Sequence, residues 1–311
     1  MSPDKIDIRE ALNERDGFQV WWRLLRPHTL TAAFIPVFVG TVFAYVEEQI
    51  FKADLFFVML IACLLIQIAV NMFNEYYDYV RGLDNEHSVG IGGTIVRDGV
   101  SPKTVLRLGF ALFGISIILG IYICLQSSWW IAVIGAASML VGYLYTGGPI
   151  PIAYTPFGEL ASGLLMGTVI IAISYFIQTL SVTKEVILVS IPIAIFIGSI
   201  LLANNIRDLD GDKENGRKTI AILLGRKNAI RFLAILFAIA YLITIILIIV
   251  GILPVWSIIT LFSLKKATDA VKGFIGKTMP IEMMPAMAAT AKTNTIYGFL
   301  LGISLFISIF I

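Results

Sequence analysis

The chain has 311 residues, of which 58% are hydrophobic and 14% charged, with a mean hydropathy of +0.88. A soluble domain carries about 25% charged residues, so this composition excludes one and describes a polytopic membrane protein. A net charge of +2 gives no support to a nucleic-acid partner, and His28 and His87, the two histidines of the chain, are too few for a zinc or haem centre.

Residues 1–29 form a polar N-terminal segment carrying Trp21, Trp22, Arg23 and Arg26. The apolar run behind it is long and is not ended by a small-residue cleavage site, which argues against a cleavable signal. About nine spans of roughly twenty residues follow, near 30–48, 54–76, 104–125, 129–146, 158–180, 186–206, 228–250, 252–265 and 293–311. The eighth is short. The expected architecture is therefore all-α, with residues 30–311 as one bundle of about nine transmembrane helices around a cytoplasm-facing central cavity. Cys63 and Cys124 both fall inside apolar runs and read as packing residues.

Orientation follows from basic residues. With the N-terminus in the cytoplasm, 21 of the 23 Lys and Arg fall on the cytoplasmic side, and Lys52 and Lys184 remain on the other. That asymmetry is the positive-inside pattern of a multi-pass protein of the cell membrane.

Two spans end in acids and amides, the first in Asn71, Asn74, Glu75 and Asp78, with Asp84 beyond Gly82, and the second in Asn204, Asn205, Asp208 and Asp212. At 3.6 residues per turn each set covers an arc of about 100°, so each lines one face of a helix end. Both exits lie on the same side, which lets the two sets meet. Asn and Asp also cap ordinary helix ends, but acids at membrane depth cost about 2.5–3.5 kcal/mol each, and here they recur. Unpaired carboxylates gathered in one cavity repel, and a divalent cation removes the repulsion. Oxygen donors without Cys or His favour a hard ion such as Mg²⁺. The nearby Arg81, Arg97, Arg207, Arg217 and Lys218 suit an anionic ligand such as a diphosphate. A weak echo, Thr94-Ile95 against Thr219-Ile220 behind each acidic set, suggests two related halves. The Met-rich stretch 279–287 reads as an interfacial segment or a cap over the site.

At these residues the chain resembles the UbiA-type intramembrane prenyltransferases, whose motifs read Asn-Asp-x-x-Asp-x-x-x-Asp and Asp-x-x-x-Asp. Here the first appears as Asn74-Glu75-Tyr76-Tyr77-Asp78 with Gly82 in the last-Asp position and Asp84 two residues on; the second is intact as Asp208 to Asp212. Arg26-Pro27-His28-Thr29-Leu30, Tyr145-Thr146-Gly147-Gly148-Pro149, Asn204-Asn205-Ile206-Arg207-Asp208, Gly216-Arg217-Lys218-Thr219 and Ala291-Lys292-Thr293-Asn294 are most similar to the 1,4-dihydroxy-2-naphthoate polyprenyltransferase branch. A Tyr-x-x-x-Lys common elsewhere in the superfamily is missing, since Pro149 follows Tyr145 at that spacing.

The resemblance implies transfer of a polyprenyl group from its diphosphate to 1,4-dihydroxy-2-naphthoate in lipid, with loss of CO₂ and diphosphate, in menaquinone synthesis. It implies Mg²⁺, two ions bridging the diphosphate, on Asn74, Asp78, Asp208 and Asp212, with Glu75 and Asp84 as further ligands. Arg26, Arg81, Arg207 and Lys292 are expected on diphosphate or carboxylate, Asn204 and Asn205 on substrate, and Tyr145, with Phe73, Tyr76, Tyr77 and Tyr143, along the path of the allylic cation. The alternatives are another UbiA-type aromatic prenyltransferase and, from a different class, an ion-coupled transporter.

Overall fold

The computed structural model describes residues 17–84 and 93–310. Helix α1 (Phe18–Leu25) is amphipathic. Phe18, Trp21 and Trp22 are exposed while Leu24 is buried, the pattern of a helix lying in a membrane interface. Pro27 opens α2 (Pro27–Glu48) at its first position, where its missing N–H costs nothing. The hinge is Arg26 at φ 50°, a left-handed backbone that a side-chain-bearing residue adopts at a cost of about 1–2 kcal/mol. Its guanidinium is anchored on Glu75 at 3.0 Å.

The bundle continues through α3 (Ala53–Val80), α4 (Thr94–Asp98), α5 (Pro102–Gln126), α6 (Trp130–Leu144), α7 (Gly158–Thr179), α8 (Lys184–Arg207), α9 (Leu209–Glu214), α10 (Ile220–Leu224) and α11 (Arg226–Ile249). A 3₁₀ segment (Val255–Ser263), α12 (Leu264–Phe274) and α13 (Pro280–Ile307) complete it. The described residues contain no strand. Among the described residues six helices are long and apolar enough to cross a membrane: α2, α3, α5, α7, α8 and α11. Helix α6 is as apolar but shorter.

The sequence places spans at 252–265 and 293–311 with a basic loop between them. The structure instead continues the eighth segment to Phe274 and starts the last helix at Pro280. Lys265, Lys266 and Lys272 are therefore helical. Hydropathy loses this region because close packing of small residues holds it: a Cβ on Gly273 would come within 2.9 Å of the Ala286 Cβ. The methionines of 279–287 open α13, where the Met283 and Met284 sulfurs accept from Arg226 (3.3 Å) and Arg207 (3.4 Å).

Two further features position the site. A π-helical turn, Gly163–Val169, lets α7 lie directly on α8. A Cβ on Gly163 would stand 2.5 Å from the Ala194 carbonyl oxygen, and one on Gly167 2.5 Å from the Ala194 Cα. Deeper in the bundle, buried hydroxyls are paired, Thr244 with Tyr297 (2.7 Å), Tyr241 with Ser263 (2.6 Å) and Ser257 with Ser304 (2.9 Å). Each satisfies a group that lipid could not. Helices α4 and α10 are each five residues long, and each follows an acidic set.

Candidate active site

A cavity of about 750 Å³ runs between α2, α3, α5, α6, α7 and α8. Its wall is mainly apolar and includes Met59, Ile123, Ile131, Leu165 and both free cysteines, Cys63 and Cys124. Arg26, Gln67, Asn71, Asn74, Tyr145 and Asn204 give it a polar end. The first acidic set reaches that end as α3 closes. Helix α3 stops at Val80, and Gly82 takes φ 75°, the left-handed C-cap that favours glycine. The Asp78 carbonyl then accepts from Leu83 (2.9 Å) and Asp84 (3.2 Å), so the chain folds back and sets Asp84 beside Asp78.

The second set arrives from α8 and α9, and Arg217 joins the two. Its guanidinium donates to Asp78 Oδ1 at 2.8 Å and to Asp212 Oδ1 at 3.0 Å, and it lies 5.1 Å over the Tyr154 ring. Asp208 accepts from Arg207 through both oxygens, at 2.6 and 2.5 Å. Asn74 accepts from the Thr146 hydroxyl at 2.8 Å, and Asn204 faces the cavity.

Other expected site residues do something else. Glu75 is fully buried and both of its oxygens are engaged. Oε2 takes Arg26, and Oε1 takes Gly93 N–H (2.8 Å), Thr94 Oγ1 (2.9 Å) and Ile95 N–H (3.3 Å). This carboxylate ties α2 and the start of α4 to α3 and offers a metal no unspent oxygen. Arg81 donates to the carbonyls of Thr146 and of Gly148 (2.8 Å), so it clamps the turn after α6. Asn205 donates to Glu159 at 2.9 Å. Lys292 is exposed on α13 and lines a separate small pocket with Lys266 and Asp269, away from the cavity. Phe73, Tyr76 and Tyr77 pack among aromatic neighbours, whereas Tyr143 and Tyr145 line the cavity. The side chain of His28 lies outside the described residues.

Glu159 was not singled out from the sequence. It is a buried acid at the start of α7, and an isolated acid opening an otherwise apolar span was the signal for it.

Electrostatics fit a cation. Burial first, then Asp78 and Glu75 nearby, push the Asp84 carboxyl up to about 7. Burial pushes Asp212 up to about 6 against the pull of Arg217. Burial disfavours charge on Arg217, but Asp78 and Asp212 outweigh it and raise its pKa above the ordinary arginine value. Among the described residues no three His, Cys, Asp or Glu side chains form a ready-made metal cage, and arginines hold Asp78, Asp208 and Asp212. The donor set is nevertheless all oxygen, and Asp212 Oδ2 is buried without a hydrogen-bond partner. A buried carboxylate oxygen left unspent beside two further aspartates suits an ion such as Mg²⁺, which takes one or two carboxylates and completes its shell with water and phosphate.

An all-helical bundle whose apolar cavity ends in the amides Asn74 and Asn204, each one turn short of an acidic helix end, has the make-up of an intramembrane enzyme. The chain belongs to the UbiA prenyltransferase family, whose model matches residues 33–267. It is 56% identical over 294 residues, 94% of each chain, to the 1,4-dihydroxy-2-naphthoate octaprenyltransferase of Bacillus subtilis. Two solved structures share the fold: a UbiA homologue from Aeropyrum pernix (TM-score 0.68, 17% identity, 91% of this chain and 98% of that one), and one from Archaeoglobus fulgidus bound to GPP and Mg²⁺ (TM-score 0.66, 17% identity, 91% and 99%). Membership of this family sets the transporter reading aside.

Proposed function

We infer that the chain transfers a polyprenyl group from polyprenyl diphosphate to 1,4-dihydroxy-2-naphthoate, with loss of CO₂ and diphosphate, to form demethylmenaquinol. The observation that carries this reading is the junction of Asp78 and Asp212 through Arg217, with Asp78 one helical turn beyond Asn74 at the polar end of the apolar cavity, together with the near-complete match to a naphthoate prenyltransferase. The apolar wall accommodates the isoprenoid tail, and the polar end receives the diphosphate.

Asn74, Asp78, Asp208 and Asp212 would hold Mg²⁺, with Asp84 as a further ligand. The ion supplies charge neutralisation for the departing diphosphate. The protein's own part is positional. Arg26 and Glu75 lock α2 and α4 onto α3. Arg81 and Thr146 hold the turn that places Tyr145. The cavity wall keeps water from the allylic carbon as its C–O bond breaks and the electron pair leaves with diphosphate. The electron-rich ring then forms the new C–C bond, and loss of the carboxylate as CO₂ returns the electrons that restore aromaticity. The positive-inside pattern supports a cell-membrane location with the N-terminus and the acidic sets on the cytoplasmic side, and the Thr94 and Thr219 echo supports two related halves, each with one acidic motif.

Purified protein in detergent is the test. Supplied with polyprenyl diphosphate, 1,4-dihydroxy-2-naphthoate and Mg²⁺, it is expected to yield demethylmenaquinol of the matching mass with stoichiometric diphosphate. Turnover of 4-hydroxybenzoate in preference to the naphthoate would overturn the acceptor assignment.

A further inference from the structure

Of Arg26, Arg81, Arg207 and Arg217, the last spans both acidic sets. Arg81 is pinned by two backbone carbonyls, Arg26 by Glu75, and Arg207 holds the adjacent Asp208. We propose that Arg217 is the internal counter-cation of this site. It holds Asp78 and Asp212 together while no divalent ion is bound, yields them to the ion, and turns its guanidinium to the diphosphate.

Three observations carry this. First, Arg217 donates to Oδ1 of both aspartates, so its guanidinium stands between them, where a divalent ion bridging the two would sit. An acceptor lone pair serves one partner at a time, so arginine and metal compete there. Buried carboxylates cannot be left without a counter-charge, and the guanidinium supplies it. Second, the bridge is under-satisfied. Asp212 Oδ2 and Arg217 Nε are both buried without a partner. A permanent structural bridge would spend these groups; here donor and acceptor capacity remain for an ion and an anion arriving together. Third, the residue is not built into a helix. It lies in the stretch between α9 and α10, directly after Gly216 at φ 77°, and stacks on Tyr154 rather than being enclosed by a helix. A planar guanidinium released from two carboxylates matches phosphate oxygens in the same two-pronged manner.

The proposal rests on the reading that Asp78 and Asp212 take a divalent ion. It predicts effects of opposite sign in one variant. In the full-length protein in detergent, Mn²⁺ binding is followed by titration, first alone and then with inorganic diphosphate added to the Mn²⁺-loaded protein. Arg217→Gln is expected to tighten Mn²⁺ binding about tenfold, because a competing cation is gone, and to weaken diphosphate binding by a similar factor. A merely structural role would weaken both, and a plain diphosphate ligand would leave Mn²⁺ binding unchanged. Asp78→Ala is the control, expected to lose Mn²⁺ binding. If it does, and Arg217→Gln binds Mn²⁺ no more tightly than wild type, the counter-cation role is overturned while the metal reading stands. If wild type binds no Mn²⁺, or Asp78→Ala binds it normally, the metal reading itself fails and the proposal with it. Should Arg217→Gln not fold, Arg217→Lys serves, because an ammonium keeps the charge but loses the planar two-pronged fork that engages both aspartates and phosphate. It is expected to shift both titrations in the same two directions by smaller factors, and wild-type values in both would overturn the proposal.

Discussion

Glu75 stands in the metal-binding motif by sequence and outside it by structure, and replacing it separates the two roles. Its carboxylate accepts one charged hydrogen bond from Arg26 and three more from the 93–95 segment, with no solvent exposure. Removing one partner of a buried ion pair costs about 3–5 kcal/mol, and Glu75→Ala also strands the donors at the start of α4. Because the Arg26 side chain is 20% exposed, water recovers part of that, and about 3 kcal/mol is expected, with Glu75→Gln costing about half because an amide oxygen still accepts. For a chain of 311 residues, that corresponds to a fall in Tm of about 5 °C for Ala. The assay is thermal unfolding in detergent beside Mn²⁺ titration of the same samples. The expected result is a large thermal loss with Mn²⁺ affinity within about threefold of wild type. Abolished Mn²⁺ binding with unchanged Tm would refute the anchoring role and return Glu75 to the ligand set.

Asp78→Ala and Asp208→Ala are each expected to abolish turnover while leaving size-exclusion behaviour and helical circular dichroism unchanged; near wild-type activity in both would defeat the metal assignment. Metal binding is expected to depend on pH. Asp84 at about 7 and Asp212 at about 6 lie above the ordinary Asp range, so near pH 6 an incoming ion must displace protons. Affinity for Mg²⁺ is therefore expected to weaken as pH falls through 7 and then 6 and to level off above about 8, with proton release on binding at pH 6.5. A flat profile from 5.5 to 8 would contradict this. Gly167→Leu forces a side chain against Ala194, where a Cβ alone would sit 2.5 Å from the Cα. A loss of more than about 3 kcal/mol of stability is expected, read as a lowered Tm, and unchanged unfolding would refute the close α7–α8 packing.

Much of the architecture is legible in the sequence because lipid imposes a simple rule: long apolar runs form helices, and acids at their ends must have a reason. The acidic sets at 71–78 and 204–212 are visible for that cause. What the sequence hides depends on reach and on which face a residue occupies. Glu75 and Asp78 are three residues apart on one helix, yet one points to the backbone of residues 93–95 and the other to Arg217. No spacing rule separates them. Lys292 belongs to a short motif that resembles the family, but α13 begins at Pro280 and presents it to the pocket beside α12. The start of that helix is concealed because Gly273 and Ala286 pack by smallness and contribute little to hydropathy. Arg217 is one of several basic residues in the sequence, and its bridging of the two acidic sets exists only once they are folded together.

The central claim, that both acidic sets grip one metal–diphosphate assembly, is tested most directly by paramagnetic resonance on the Mn²⁺-loaded protein with diphosphate. Coupling between the Mn²⁺ electron spin and ³¹P is expected in wild type and is expected to vanish in Asp78→Asn and in Asp208→Asn alike. Coupling that persists at full strength in either variant would mean that one helix end binds the assembly without the other.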